Sequence, residues 1–501
     1  MLLLKSSIIP CHSNKSSLPQ SIAEGTATAA LAGYESAGHS AKMSTPLPTG
    51  PRVKRLLLLT PVALLGLALL LLHLAGIPLR GLPEMAAVGT GMTAKLSCSG
   101  YYISGFTDER NRADISTYSP ATLLIDVQHE PPDTVVASCG SVVAKARYYP
   151  GLGCTLVHRG MVNLATLEMP AVNRPSGQWP VGEEVGEPDE AMQSLLVSTL
   201  IEDSQQGLDT RALLVVQGGR VIAEAYGAGI TPDTPLLGWS MGKSLTALLV
   251  GRLEALGKIQ RSDSILFPAW RADARRDITV ANLLQMSSGL EFSEPYVPGN
   301  DSTRMLFAAP SAAEVALASP LVHLPGSHWY YSSGTSNLLT RLVSDRLGAS
   351  PQALVDFFAR EIAAPLGLRN TVFELDASGV YLGSSFVYAP ARDWARMALP
   401  MLNNGRAGGS QWLPPGWVAD AAMPNPSAND RRYGYQFWLN GGGARLRWPE
   451  LQADAYAMSG NRGQSVMIFP DLDAIVVRLG WTAGDYPVNE KFQPIQALLK
   501  R

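Results

Sequence analysis

Cysteine is scarce in this sequence, with four in 501 residues, and no Cys/His group has the spacing of a zinc site. A bound metal is therefore not expected. Charge is also low, at 16 %, and nearly balanced: 40 basic and 42 acidic side chains leave a net charge of −2. With no basic excess there is no electrostatic case for a nucleic-acid partner. Lysine thins out along the chain. Past residue 145 there are only Lys243, Lys258, Lys491 and Lys500, and arginine supplies most other positive charge. What is abundant is apolar: 46 % of residues, enough for a large core, in a chain long enough for two or three structural units.

The first 51 residues are rich in Ser, Ala, Gly, Pro and Thr and read as a disordered N-terminus. Met43 is an alternative start. Residues 52–80 follow as an anchor. Its apolar run from Leu56 to Ile77 has the length of a transmembrane helix and exceeds the apolar core of a cleaved signal peptide. Arg52, Lys54 and Arg55 precede it and only Arg80 follows, so the N-terminus is expected in the cytoplasm. Everything beyond residue 80 is then periplasmic or extracellular, on a single-pass protein of the cytoplasmic membrane. Disulfides persist there. Of the three exported cysteines, Cys98 in "KLSCSGYY" and Cys154 in "GLGCTLV" read as a pair, each in a short turn-rich segment, which leaves Cys139 over.

Residues 81–185 read as a small β-rich module ending in a Pro/Gly/Glu-rich linker. From 186 to 501 the pattern changes. "EAMQSLLVSTLIED" is helical, and "ALLVVQ-GG-RVIAEAY" is a hairpin turning at Gly218-Gly219. A helix opens at Ser240 and ends near Gly257. Helices and loops then fill Asp277 to Thr371, and "SVMIF" and "AIVVRLGW" form a second hairpin around "PDLD". Strands at both ends of the region, with helices between, imply one antiparallel sheet closed by both ends, flanked by helices and carrying an inserted helical subdomain. That is an α+β fold.

Around Ser240, "GWSMGKS" matches two catalytic patterns. Gly238-Trp239-Ser240-Met241-Gly242 fits G-x-S-x-G, the nucleophile elbow. That pattern needs a strand running into the serine and a histidine far downstream. Here the approach, "GITPDTPLLGWS", is a proline-broken loop, and only His323 and His328 follow. Ser240-Met241-Gly242-Lys243 fits S-x-x-K, which puts the lysine one helical turn beyond the serine on the same face. A buried lysine can lose its charge and take a hydroxyl proton, whereas arginine cannot. All three exported cysteines precede this segment, which argues against a thiol nucleophile.

Two further segments accompany this one: "WYYSSGTSNLL", with Tyr331-Ser332-Ser333, and "YAMSGNRGQSVMIF", ahead of the last hairpin. Together with "RDITVANLLQMSSGL", and in this order, they resemble the class C β-lactamase and DD-peptidase-like serine hydrolases over about residues 186–501. "DASGVYLGSSFVYAPARDWAR" is similar to the branch of 6-aminohexanoate-oligomer hydrolases and related esterases. The resemblance implies a β-lactamase/transpeptidase-like fold and a cofactor-free serine hydrolase. Ser240 would be the acylated nucleophile, with Lys243 or Tyr331 as base. The backbone N–H groups of Ser240 and Asn461 would form the oxyanion hole. Ser333, Ser459 and Gly460 fall at substrate-binding positions. Two motifs depart from the family. Ser333 stands where Asn closes the second motif, and Met458-Ser459-Gly460 replaces K-T-G or H-x-G. Losing that cation removes the usual partner for a substrate carboxylate. An esterase or amidase on a small molecule is therefore favoured. The alternatives are a β-lactamase or D-Ala-D-Ala carboxypeptidase, or a non-catalytic envelope binding protein on the same fold. Tyr296, in "FSEPYVPGND", reads equally as a cleft hydroxyl or a packing aromatic. Ser384 and Ser385 read as a turn rather than a cleft edge, Trp329 and Tyr330 as packing residues, and His323 and His328 as structural.

Overall fold

The structure, a computed structural model, describes residues 81–172 and 175–499. The stretch 1–51 and the apolar run Leu56–Ile77 lie outside the described residues. Among the described residues, no helix is long and apolar enough to cross a membrane.

From Pro83 onward the chain forms one compact unit. Residues 83–185, read above as a module of their own, are part of it. They open with helix α1 (Leu82–Tyr102), which the sequence pattern did not mark, and the short α2 (Asp108–Ser116). Four antiparallel strands follow in order: β1 (Asp126–Glu130), β2 (Thr134–Cys139), β3 (Val142–Tyr149) and β4 (Gly153–Leu156). A disulfide joins Cys98 on α1 to Cys154 on β4, and Cys139 is free. Cys98 therefore sits inside a helix, not in a turn-rich segment. Buried polar contacts bind this part to the rest. Lys95 Nζ pairs with Glu374 at 2.7 Å, Ser99 Oγ donates to Glu374 at 2.8 Å, and the Cys154 N–H donates to Glu374 at 2.6 Å.

The region from residue 186 onward begins with α3 (Glu190–Gln205), then β5 (Thr210–Gln217) and β6 (Arg220–Tyr226). Gly218 and Gly219, with φ of 59° and 69°, make the tight turn that joins these strands. β7 (Leu236–Leu237) leads into α4 (Met241–Ala255). Short helices at Val280–Leu284, Asp301–Phe307 and Ala312–Leu317 precede α5 (Ser333–Arg346). β8 (Val372–Phe373) and β9 (Val387–Ala389) complete a small sheet with β7. α6 (Ala391–Leu402) is followed by the two-residue strands β10 (Arg406–Ala407) and β11 (Ser410–Gln411). The chain then runs through β12 (Trp438–Leu439), β13 (Tyr456–Gly460), β14 (Gln464–Phe469), β15 (Ala474–Gly480) and α7 (Val488–Leu498).

The main sheet has six antiparallel strands in the order β12-β13-β14-β15-β5-β6. β15 pairs with β5, Val477 opposite Leu214, so the two ends of this region close one sheet. Its apolar residues alternate between two cores. Leu214, Val216, Val466, Ile468, Ile475 and Val477 face the cluster that holds α4, α5 and α6. Leu213, Val215, Met467 and Val476 face a second cluster with Met192 and Leu196 of α3 and Phe492 and Ile495 of α7. Both faces of the sheet are covered, which is why β5, β14 and β15 read as nearly unbroken apolar runs rather than half-polar strands.

Candidate active site

Ser240 sits at the joint between β7 and α4. The residue before it, Trp239, has φ 48°, a left-handed conformation that a large side chain adopts only when its surroundings hold it there. Gly238 and Gly460 supply that hold. A Cβ on Gly460 would run into the Gly238 carbonyl oxygen, and one on Gly238 would run into the Trp394 ring. The end of β13 thus lies directly against the turn that carries Ser240. This brings the N–H groups of Ser240 and Asn461 onto adjoining segments, with Ser459 and Gly460 on the strand end beside them. Ser240 is the N-cap of α4, yet its hydroxyl makes no capping bond.

That hydroxyl is engaged by Lys243, one turn along α4. Lys243 is 1 % exposed, and its Nζ reaches three oxygens: Ser240 Oγ at 2.9 Å, Ser333 Oγ at 3.0 Å and the Ser384 carbonyl at 2.9 Å. Three acceptors use all three ammonium protons, and none is a carboxylate. Burial pulls the Lys243 pKa down to about 8, against the nearby charge of Glu294.

Glu294 is the residue that the sequence reading passed over. Ser333 Oγ donates to its Oε1 at 2.6 Å, and the Ser333 N–H donates to its Oε2 at 2.7 Å. Ser333 is the first residue of α5, so the carboxylate receives a free N–H at a helix N-terminus, where negative charge is favoured. Burial raises the Glu294 pKa, opposed by the Lys243 charge and the Ser333 hydrogen bonds. A continuous chain Ser240–Lys243–Ser333–Glu294 results. In the sequence, "FSEPYV" carries no periodic signal for Glu294; only its place two residues before Tyr296 marked it. The Tyr296 hydroxyl lies 3.3 Å from Ser333 Oγ while the residue as a whole is 40 % exposed, so it spans from solvent to the site.

Tyr331 lies beside this chain, with Lys243 Nζ 4.9 Å above its ring. Its ring stacks on Trp438 at 5.1 Å and meets Tyr433 edge-on at 5.9 Å. Burial holds its phenol pKa well above the ordinary value, and a hydrogen bond with Ser240 opposes this only in part. A Lys243 ammonium would by itself favour a phenolate here, but desolvation outweighs it. Ser384 is fully buried and lends its carbonyl to Lys243. Its hydroxyl accepts from Asn337 Nδ2 at 3.0 Å, so the turn expected at Ser384 and Ser385 is present and backs the site. His323 and His328 stack on each other at 4.1 Å, and Tyr330 is 42 % exposed rather than packed.

The family model described as Beta-lactamase matches residues 190–493. The 6-aminohexanoate-dimer hydrolase of Paenarthrobacter ureafaciens is 25 % identical over 301 residues, covering 56 % of this chain and 76 % of that one. Among solved structures, a putative 6-aminohexanoate-dimer hydrolase from Bacillus anthracis superposes with a TM-score of 0.50 at 19 % identity. That match covers 59 % of this chain and 80 % of the other.

Proposed function

The chain belongs to the Beta-lactamase family of hydrolases, and on that premise we propose that it cleaves an ester or amide bond through an acyl-enzyme on Ser240. The observation that carries this reading is the 2.9 Å contact between Ser240 Oγ and a buried Lys243 whose pKa is lowered to about 8. Neutral Lys243 takes the Ser240 proton as Oγ attacks the substrate carbonyl carbon. The N–H groups of Ser240 and Asn461 hold the resulting oxyanion. Tyr331, kept protonated by burial, gives its proton to the departing oxygen or nitrogen as the C–O or C–N bond breaks. The Lys243 ammonium beside it then restores that proton. Water repeats the sequence on the acyl-enzyme and releases the acid. Glu294, through Ser333, balances the charge that Lys243 gains in each half-reaction.

The test is turnover of p-nitrophenyl acetate and butyrate, with the acyl adduct read by intact mass. A burst and an adduct are expected in the wild type and lost in Ser240→Ala. Equal rates in both proteins would overturn the nucleophile assignment. The curated relative's name directs the amide screen toward linear oligomers of 6-aminohexanoate. We also propose that Leu56–Ile77 anchors the enzyme in the cytoplasmic membrane with its active site outside. Recovery in the soluble fraction after cell lysis would sink that placement.

A further inference from the structure

Among the described residues, five arginines are less than a tenth exposed: Arg211, Arg392, Arg396, Arg462 and Arg478. Buried charge demands a partner, and four of them have one. Arg211 pairs with Asp114 and Asp209, Arg392 with Glu224, and Arg396 with Asp393 and Glu183. Arg478 donates to Thr210 Oγ1, Thr482 Oγ1 and the carbonyls of Arg462 and Leu208. Arg462 stands apart. It is 7 % exposed, and its guanidinium makes one long bond, from Nη1 to the Thr482 carbonyl at 3.4 Å, and a hydrogen bond to the Tyr118 oxygen. Its Nε has no partner, and no carboxylate pairs with it among the described residues.

The surroundings of Arg462 repeat the pattern. Its guanidinium stacks 3.8 Å above the ring of Tyr118, which meets Trp239 edge-on at 5.9 Å. The Tyr118 oxygen meets only the Arg462 guanidinium, so the phenol proton has no acceptor, and Trp239 Nε1 is buried without a partner among the described residues. Burial keeps the Tyr118 phenol protonated, so one contiguous cluster holds three unmet donors and a positive charge. Its place in the chain is specific. Trp239 directly precedes Ser240, and Arg462 directly follows Asn461, with φ 63° turning it out of line with the strand. The cluster is therefore rooted in both segments of the oxyanion hole. Tyr118 comes from beyond the end of α2, outside the residues 190–493 that match the family. Trp481 fixes that segment by donating from Nε1 to the Asp114 carbonyl at 2.8 Å.

Resting on the acyl-enzyme reading above, we propose that Tyr118, Trp239 and Arg462 form a subsite for a carboxylate on the acyl portion of the substrate. Arg462 then supplies, four residues after Met458, the cation that the third motif lacks. Trp239 and Arg462 are each the chain neighbour of a residue of the proposed oxyanion hole, so the proposal places the carboxylate a few methylenes from the scissile carbonyl. Short dicarboxylic half-esters and half-amides are the matching class.

The experiment compares mono-p-nitrophenyl glutarate with neutral p-nitrophenyl butyrate on the full-length enzyme in detergent. The wild type should prefer the glutarate ester, and free glutarate should inhibit butyrate hydrolysis competitively. Arg462→Gln should lower the glutarate-to-butyrate ratio of kcat/KM at least tenfold, mostly through KM. Tyr118→Phe removes one hydroxyl and leaves the ring, so it carries the test if Arg462→Gln does not fold; its ratio should fall about threefold. Ratios within twofold of the wild type in the folded variants would overturn the subsite. Glutarate titrated calorimetrically into Ser240→Ala protein reads the subsite without turnover. Binding there without ester hydrolysis in the wild type would support the subsite while refuting the acyl-enzyme. Turnover of both esters with no glutarate binding would do the reverse.

Discussion

Lys95 and Lys243 are equally buried, at 1 % exposure each, and both have their pKa pulled down by desolvation. They differ in what faces the ammonium. Lys95 touches a carboxylate, Glu374, at 2.7 Å and donates to the Cys154 carbonyl beside the disulfide. A proton leaving Lys95 would strand the Glu374 charge in the core. Lys243 touches three uncharged oxygens, and its nearest carboxylate, Glu294, is one hydroxyl removed. A proton leaving Lys243 strands nothing in direct contact. The same side chain at the same depth faces a carboxylate in one place and only uncharged oxygens in the other, which is the setting the proposed base requires.

The largest expected effect is on Lys243. Lys243→Arg keeps a charge and a donor but cannot give up its proton, so acylation should fall by about 10⁴-fold. Burst kinetics with p-nitrophenyl butyrate measure it. A loss of less than tenfold would make Lys243 as inert chemically as Lys95. The next effect runs the other way. Lys95→Met strands the Glu374 carboxylate and should cost about 3–5 kcal/mol in denaturant unfolding. Lys95→Met with Glu374→Gln should cost less than the single change, because no buried charge is left over. Lys243→Met should change stability by only about 1 kcal/mol. If Lys95→Met and Lys243→Met destabilise alike, the distinction between the two lysines fails.

How much of this contrast the sequence shows depends on periodicity. Ser240 and Lys243 were legible because a three-residue spacing on a helix needs no tertiary knowledge, and because lysine is rare past residue 145. The hairpins were legible because Gly218-Gly219 and "PDLD" are local turn chemistry. Helix α1 was not. Its buried residues run almost unbroken from Thr93 to Gly100, so it lacks the one-sided apolar stripe that marks a surface helix. Its small residues, such as Gly91 against the Phe307 carbonyl and Gly100 against Asn111, allow that burial and also hide it. Glu294 and Tyr118 were silent for another reason. Each lies in a loop or a chain turn, and only the fold brings it to Ser333 or to Trp239.

Tyr331 sharpens the comparison at the level of chemistry. Burial raises its pKa, so the mechanism proposed above makes it a donor to the leaving group and not the base. Tyr331→Phe should lower kcat/KM about 10²-fold while the pH midpoint set by Lys243 stays in place. A midpoint that vanished with the phenol would make Tyr331 the base and Lys243 its helper.

The smallest effect tests the one carboxylate that does influence Lys243. The active form requires neutral Lys243, so kcat/KM should rise with pH through about 8 and level off above it. Glu294 opposes the loss of that proton, since its negative charge stabilises the ammonium and raises the lysine's pKa against burial. Glu294→Gln removes the charge and keeps an oxygen for Ser333. Lys243 should then lose its proton more easily, and the rising limb should move to lower pH. The plateau rate should fall modestly, because the ammonium formed during acylation has lost its balancing charge. A limb that moved to higher pH would mean that Glu294 acts on Lys243 mainly by shielding it from water. A limb that did not move would mean that Ser333 insulates the pair, and Lys243 would then be more isolated from charge than its distance to Glu294 implies.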